Sequence, residues 1–118
     1  MNDEISEFTR DTLLIIRNIP TGKVLTYGLI ARWAGAPGAA RQVSRTLHSM
    51  SEKYHLPWYR VINSAGEIAL PSIEGKDHQK RLLEQEGVRV SDGYKIDLNE
   101  FLWDIGSFDF DNLEDAFS

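Results

Sequence analysis

Ile5, Phe8, Thr12, Ile15, Ile16 and Ile19 recur at spacings near three and four, with Arg10, Asp11 and Arg17 on the other side. That period predicts an amphipathic helix over residues 3–18. Pro20-Thr21-Gly22-Lys23 reads as a turn and Val24-Leu25 as a short extended piece. Thr26 is placed to cap a short helix, Tyr27 to Ala34, that Gly35 stops. Ala36-Pro37-Gly38 breaks the chain, and a second helix is predicted from Ala39 to Met50. On it Val43, Leu47 and Met50 form the apolar stripe, while Arg41, Ser44, Arg45 and His48 share the polar face. A short helix, a tight turn and a second helix with an arginine-bearing face make a helix-turn-helix pattern.

Downstream, Val61-Ile62 and Glu67-Ile68-Ala69-Leu70 are expected to pair as a hairpin around Asn63-Ser64-Ala65-Gly66. A further helix is predicted from Glu74 to Glu86, with Gly87 as its stop, and Tyr94 to Leu98 reads as a strand. No internal repeat is visible. The expected fold class is mainly α with short β elements, built around the helix-turn-helix.

Charge divides the chain. All 13 lysines and arginines of the 118 residues lie in residues 1–103, and five of the 18 acids (Asp104, Asp109, Asp111, Glu114 and Asp115) lie in residues 104–118. Residues 1–103 are therefore formally neutral, and the net charge of −5 belongs to residues 104–118. Residues 17–60 hold seven bases against the single acid Glu52, a polarity that suits a phosphate-facing surface. The expected organisation is a domain over 1–103 and an acidic, flexible tail over 104–118. Apolar and charged fractions of 42% and 26% are those of a globular protein. No run approaches the roughly 18 apolar residues that span a bilayer, and Met1 to Glu4 lack the order of a secretory signal. The expected compartment is the cytoplasm, with nucleoid association on DNA, and no membrane partner is expected.

The chain has no cysteine, which removes disulfides, thiolate chemistry and sulfur-ligated zinc. His48, His55 and His78 show no metal-ligand spacing, and no phosphate loop or nucleophile elbow is present. Neither a metal nor a cofactor is expected, and the inventory leans towards binding. Leu56-Pro57-Trp58-Tyr59-Arg60-Val61 sets two large aromatics and an arginine in a loop-to-strand position. Such residues serve either as core or as the wall of a pocket for a flat ligand.

Five blocks carry a family resemblance: Ile19 to Val24, Thr26 to Ala31, Pro37 to Val43, Pro57 to Ile62 and Leu82 to Gly87. In this order, across about residues 5–90, they resemble the DNA-binding domain of the O6-alkylguanine-DNA alkyltransferases. More closely, the chain is similar to the alkyltransferase-like proteins, which lack the acceptor cysteine. The resemblance implies the winged-helix-like C-terminal domain of that family, with the second helix in the minor groove. In the transferases the fourth block reads Pro-Cys-His-Arg-Val; here Trp58 stands at the cysteine and Tyr59 at the histidine. Indole is no substitute for a thiolate, and a phenol of pKa about 10 is a poor base, so alkyl transfer is excluded.

By the same resemblance, Tyr27 presses on the phosphate beside the lesion and Arg41 fills the space of the flipped base. Ser44 and Arg45 join them on the DNA face. Trp58, Tyr59, Arg60 and Val61 line the lesion pocket, with Ser72 at its rim. Glu86 completes a relay in the transferases; here only Tyr59 or Arg60 is left to pair with it, and a structural role is expected. The implied activity is non-enzymatic binding and flipping of O6-alkylguanine in double-stranded DNA by a monomer that recruits nucleotide excision repair proteins. A helix-turn-helix regulator without lesion specificity and an interaction module acting through the acidic tail are the other classes that fit.

Overall fold

A computed structural model describes residues 5–107 of the chain. Helix α1 (Glu7–Arg17) begins later than its periodicity suggests, because Ser6 caps it, its Oγ accepting from the Thr9 amide at 3.1 Å. Strand β1 (Leu25–Thr26) leads straight into α2 (Tyr27–Trp33), where Thr26 Oγ1 accepts from the Leu29 amide at 3.2 Å. Ala34 closes that helix, and Gly35 follows at φ +93°, a conformation that costs glycine little. Helix α3 (Ala40–Met50) packs across α2 and buries Val43, Thr46 and Leu47; Met50 is only partly covered.

The Trp58–Arg60 segment is a single 3-10 turn and not the start of a strand. It delivers the chain into β2 (Val61–Ile62), which pairs in parallel with β1, Leu25 opposite Val61 and Thr26 opposite Ile62. The expected hairpin partner is therefore wrong. Its turn does form, with Asn63 Oδ1 accepting from the amides of Ala65 and Glu67 at 3.0 and 2.9 Å. Past that turn, Ile68 donates to the Tyr94 carbonyl and Ile96 to the Gly66 carbonyl, so Glu67 bridges Lys95 instead. Val61 and Ile62 are each 1% exposed, and cover on both faces is typical of strands that pair in parallel. The expected strand from Tyr94 to Leu98 shrinks to that one bridge, because Asp97 caps a short helix α5 (Leu98–Phe101). Between these lies α4 (Ile73–Gln85), capped by Ser72.

Strand alternation splits the interior in two. Leu25 and Val61 join Leu13, Ile15, Ile16, Ile30 and Val43 in a core under the first three helices. Val24 and Ile62 point the other way, into a core with Ile68, Leu83, Val88 and Phe101. Ile105 lies in the first core at 5% exposure, so the packed body runs past the boundary at residue 103 that charge alone suggested. Residues 108–118 of the acidic tail lie outside the described residues. No helix among the described residues is long and apolar enough to cross a membrane.

Candidate functional site

The first turn of α2, the polar face of α3 and the Trp58 turn meet around a cavity of about 180 Å³. Tyr27, Ser44 and Trp58, expected from the sequence, all line it. Tyr27 follows the Thr26 cap directly, so the cap fixes where its ring stands. Burial pushes its phenol above the ordinary value, and the side chain is a neutral hydroxyl at physiological pH. The Trp58 indole meets the Tyr59 ring edge-on, with centroids 5.8 Å apart at 89°. On α4, the His78 imidazole lies 5.8 Å from the indole at a tilt of 37°.

Leu47, His48 and Ser51 complete the α3 side of the wall. They stand three, four and seven residues after Ser44, so helical spacing alone points to them once Ser44 is placed. Leu70 and Gln79 close the remaining side from distant sequence, and no local pattern marks them. Gln79 is 3% exposed and donates from Nε2 to the carbonyls of Tyr59 and Val61, at 3.0 and 3.1 Å. It thereby ties α4 to the turn that carries Trp58. Arg41 and Arg45 are exposed on α3 and do not line the cavity; they stand three residues before Ser44 and His48, which do.

Four residues assigned to the pocket or its rim lie elsewhere. Val61 is a core residue, because strand alternation turns it under α1. Tyr59 and Arg60 turn away from the cavity to a separate cleft with Arg17 and Tyr54. There Arg60 binds Glu86 with two nitrogens, Nε to Oε1 at 2.9 Å and Nη2 to Oε2 at 2.5 Å. Its Nη1 donates to the Ile19 carbonyl at 2.8 Å and Nη2 also to Thr21 Oγ1 at 3.1 Å. The Tyr59 hydroxyl and the Gly22 amide donate to the same carboxylate at 2.8 and 3.1 Å. Ser72, the proposed rim residue, is instead occupied as the cap of α4, its Oγ accepting from the Gly75 amide at 3.0 Å.

The network resolves an electrostatic conflict. Glu86 caps the C-terminal end of α4, where the helix dipole disfavours a negative charge. Burial also opposes its ionisation, but the Arg60 guanidinium, the Gly22 amide and the Tyr59 hydroxyl together hold its carboxyl below the ordinary value. Burial and the bond to Glu86 push the Tyr59 phenol up, so Tyr59 is a donor and not a base. Among the described residues, no group of three or more His, Asp or Glu side chains is placed to hold a metal.

Against known proteins, residues 7–88 match the 6-O-methylguanine DNA methyltransferase, DNA binding domain family. The chain belongs to this family, on its alkyltransferase-like branch. It is similar to the DNA base-flipping protein of Vibrio parahaemolyticus, 46% identical over 84% of this chain and 98% of that protein. It is equally similar in extent to alkyltransferase-like protein 1 of Schizosaccharomyces pombe, 41% identical over 84% of this chain and 96% of that protein. The crystal structure of that yeast protein in complex with damaged DNA containing O6-carboxymethylguanine superimposes with a TM-score of 0.75. The overlay covers 85% of this chain and 97% of that one at 41% identity. The Mycobacterium tuberculosis O6-methylguanine methyltransferase follows at 0.53 and 30% identity, with this chain spanning half its length. This alkyltransferase-like chain contains no cysteine.

Proposed function

We propose that this protein binds O6-alkylguanine in duplex DNA, rotates the damaged nucleotide out of the helix and holds it without chemical change. The observation that carries this reading is the cavity beside α3. A tyrosine, a serine and an indole face an opening next to a helix whose outer side presents Arg41 and Arg45. Extruding a base costs a few kcal/mol, least where alkylation has already weakened its pairing, and stacking in an aromatic-walled pocket offsets that cost. Tyr27 presses on the adjoining phosphate, and Arg41 enters the vacated space from the minor groove, where a guanidinium replaces stacking and meets phosphate charge. Trp58 occupies the position of the transferase cysteine and supplies no nucleophile, so the protein is a sensor and not an enzyme. The damaged-DNA complex of the yeast relative and the base-flipping names of others support the reading.

The bound, flipped lesion is a persistent distortion, and nucleotide excision repair is the pathway to which a monomeric, cytoplasmic sensor hands it. The deciding experiment is a fluorescence-anisotropy titration of two duplexes that differ by a single O6-methylguanine, at fixed salt. Lesion binding at least about tenfold tighter, equivalent to about 1.4 kcal/mol, is expected. Equal affinities defeat the sensor reading.

A further inference from the structure

Gln79 is the buried polar side chain in the wall of the cavity, and its amide has a fixed orientation. Both of its backbone partners, Tyr59 O and Val61 O, are acceptors, so the atom that faces them is the nitrogen. Two carbonyls use the two N–H bonds, and the Oε1 atom is left. No described residue donates to Oε1. Among the described residues Thr12 Oγ1, and not this atom, is the fully buried side-chain polar atom without a partner. Gln79 lines the cavity, and Oε1 is the polar atom its side chain has left for an occupant.

From this geometry we infer that Gln79 is a specificity-determining residue that reads the 2-amino group of the purine held in the cavity, with Oε1 as acceptor. The inference rests on the lesion-binding reading above. Alkylation at O6 removes the N1 proton, so the Watson–Crick edge of an O6-alkylguanine keeps one donor, the exocyclic amine. The hydroxyls of Ser44 and Ser51 rotate to donate or accept and do not choose between edges, whereas Gln79 with both N–H bonds occupied only accepts. A 6-alkoxypurine without the amine leaves Oε1 facing a C–H bond, a buried acceptor with no donor, and sites built to bond a substrate N–H reject such analogues. The protein therefore favours guanine-type over hypoxanthine-type lesions.

The test uses the full chain and three duplexes carrying guanine, O6-methylguanine or O6-methylhypoxanthine at one position, titrated by anisotropy. The unaltered protein is expected to bind O6-methylhypoxanthine at least about tenfold more weakly than O6-methylguanine. Gln79→Lys keeps a donor for the two carbonyls and removes the acceptor; Gln79→Met removes both at similar volume. Either variant that stays folded by circular dichroism is expected to bind the two lesions alike. Equal binding of both lesions by the unaltered protein overturns the inference, and so does a preference that survives in Gln79→Lys. Failure to distinguish O6-methylguanine from guanine is a separate result, which removes the lesion reading and this inference with it.

Discussion

The two sides of the Trp58–Arg60 turn are built on opposite principles. On one side Tyr59 and Arg60 both donate to Glu86, Arg60 donates also to Thr21 Oγ1 and the Ile19 carbonyl, and with the Gly22 amide the carboxylate accepts from three residues. On the other, Trp58 faces a cavity in which Gln79 still holds a free acceptor and two serines contribute hydroxyls. On the first side the Glu86 carboxylate has its bonds made within the protein, and on the second the polar groups keep bonding capacity for an occupant. Adjacent residues of one motif thus divide between scaffold and site, and the division follows from which bonds are already made.

Breaking the saturated side is expected to have the largest effect. Glu86→Ala leaves the Arg60 guanidinium, 13% exposed at its side chain, without its anion. A loss of about 3 kcal/mol in urea-unfolding stability is expected, since removing one partner strands a desolvated charge. The same bond gives a pH signature of smaller size. The folded-state carboxyl of Glu86 ionises below its ordinary value, so its contribution is complete above about pH 4.3 and drains away as pH falls through the lower folded-state value. Melting curves between pH 5 and 3 are expected to fall less steeply for Glu86→Gln, and parallel curves for the two proteins would show that the network contributes nothing.

On the open side, Trp58→Ala is expected to erase the tenfold lesion preference, about 1.4 kcal/mol, while binding to undamaged duplex stays put. A variant that instead loses stability and keeps the preference would return Trp58 to the core and favour a sequence-reading regulator. The smallest effect tests the rim. Ser72→Ala deletes the α4 cap and is expected to lower stability by about 1 kcal/mol without changing the ratio of lesion to normal binding. A change in that ratio would place Ser72 back at the pocket.

Helix starts and stops were legible at Thr26, Gly35 and Gly87, whereas the caps at Ser6, Ser72 and Asp97 were not, because a serine or aspartate fits a loop as well as a cap. The cavity was legible on α3, where spacing from Ser44 leads to Leu47, His48 and Ser51. It was not legible at Gln79 or Leu70, which enter from a helix and a loop that no local period connects to α3. The hairpin expectation failed at Val61 and Ile62 for a related reason. Two residues of apolar strand say that both faces are covered and do not say by which neighbour, and β1 supplies a parallel partner 36 positions upstream.

By itself the sequence determined the four longer helices, the basic stretch, the absence of any thiol and, through its five blocks, the family. Those properties depend on residue type and short-range spacing. Tertiary structure decided the roles of Trp58, Tyr59, Arg60 and Val61, four consecutive residues that reach the cavity, the Glu86 network and the core. Over so short a span a 3-10 turn followed by a strand points successive side chains in different directions, and only the elements packed around them settle what each one meets.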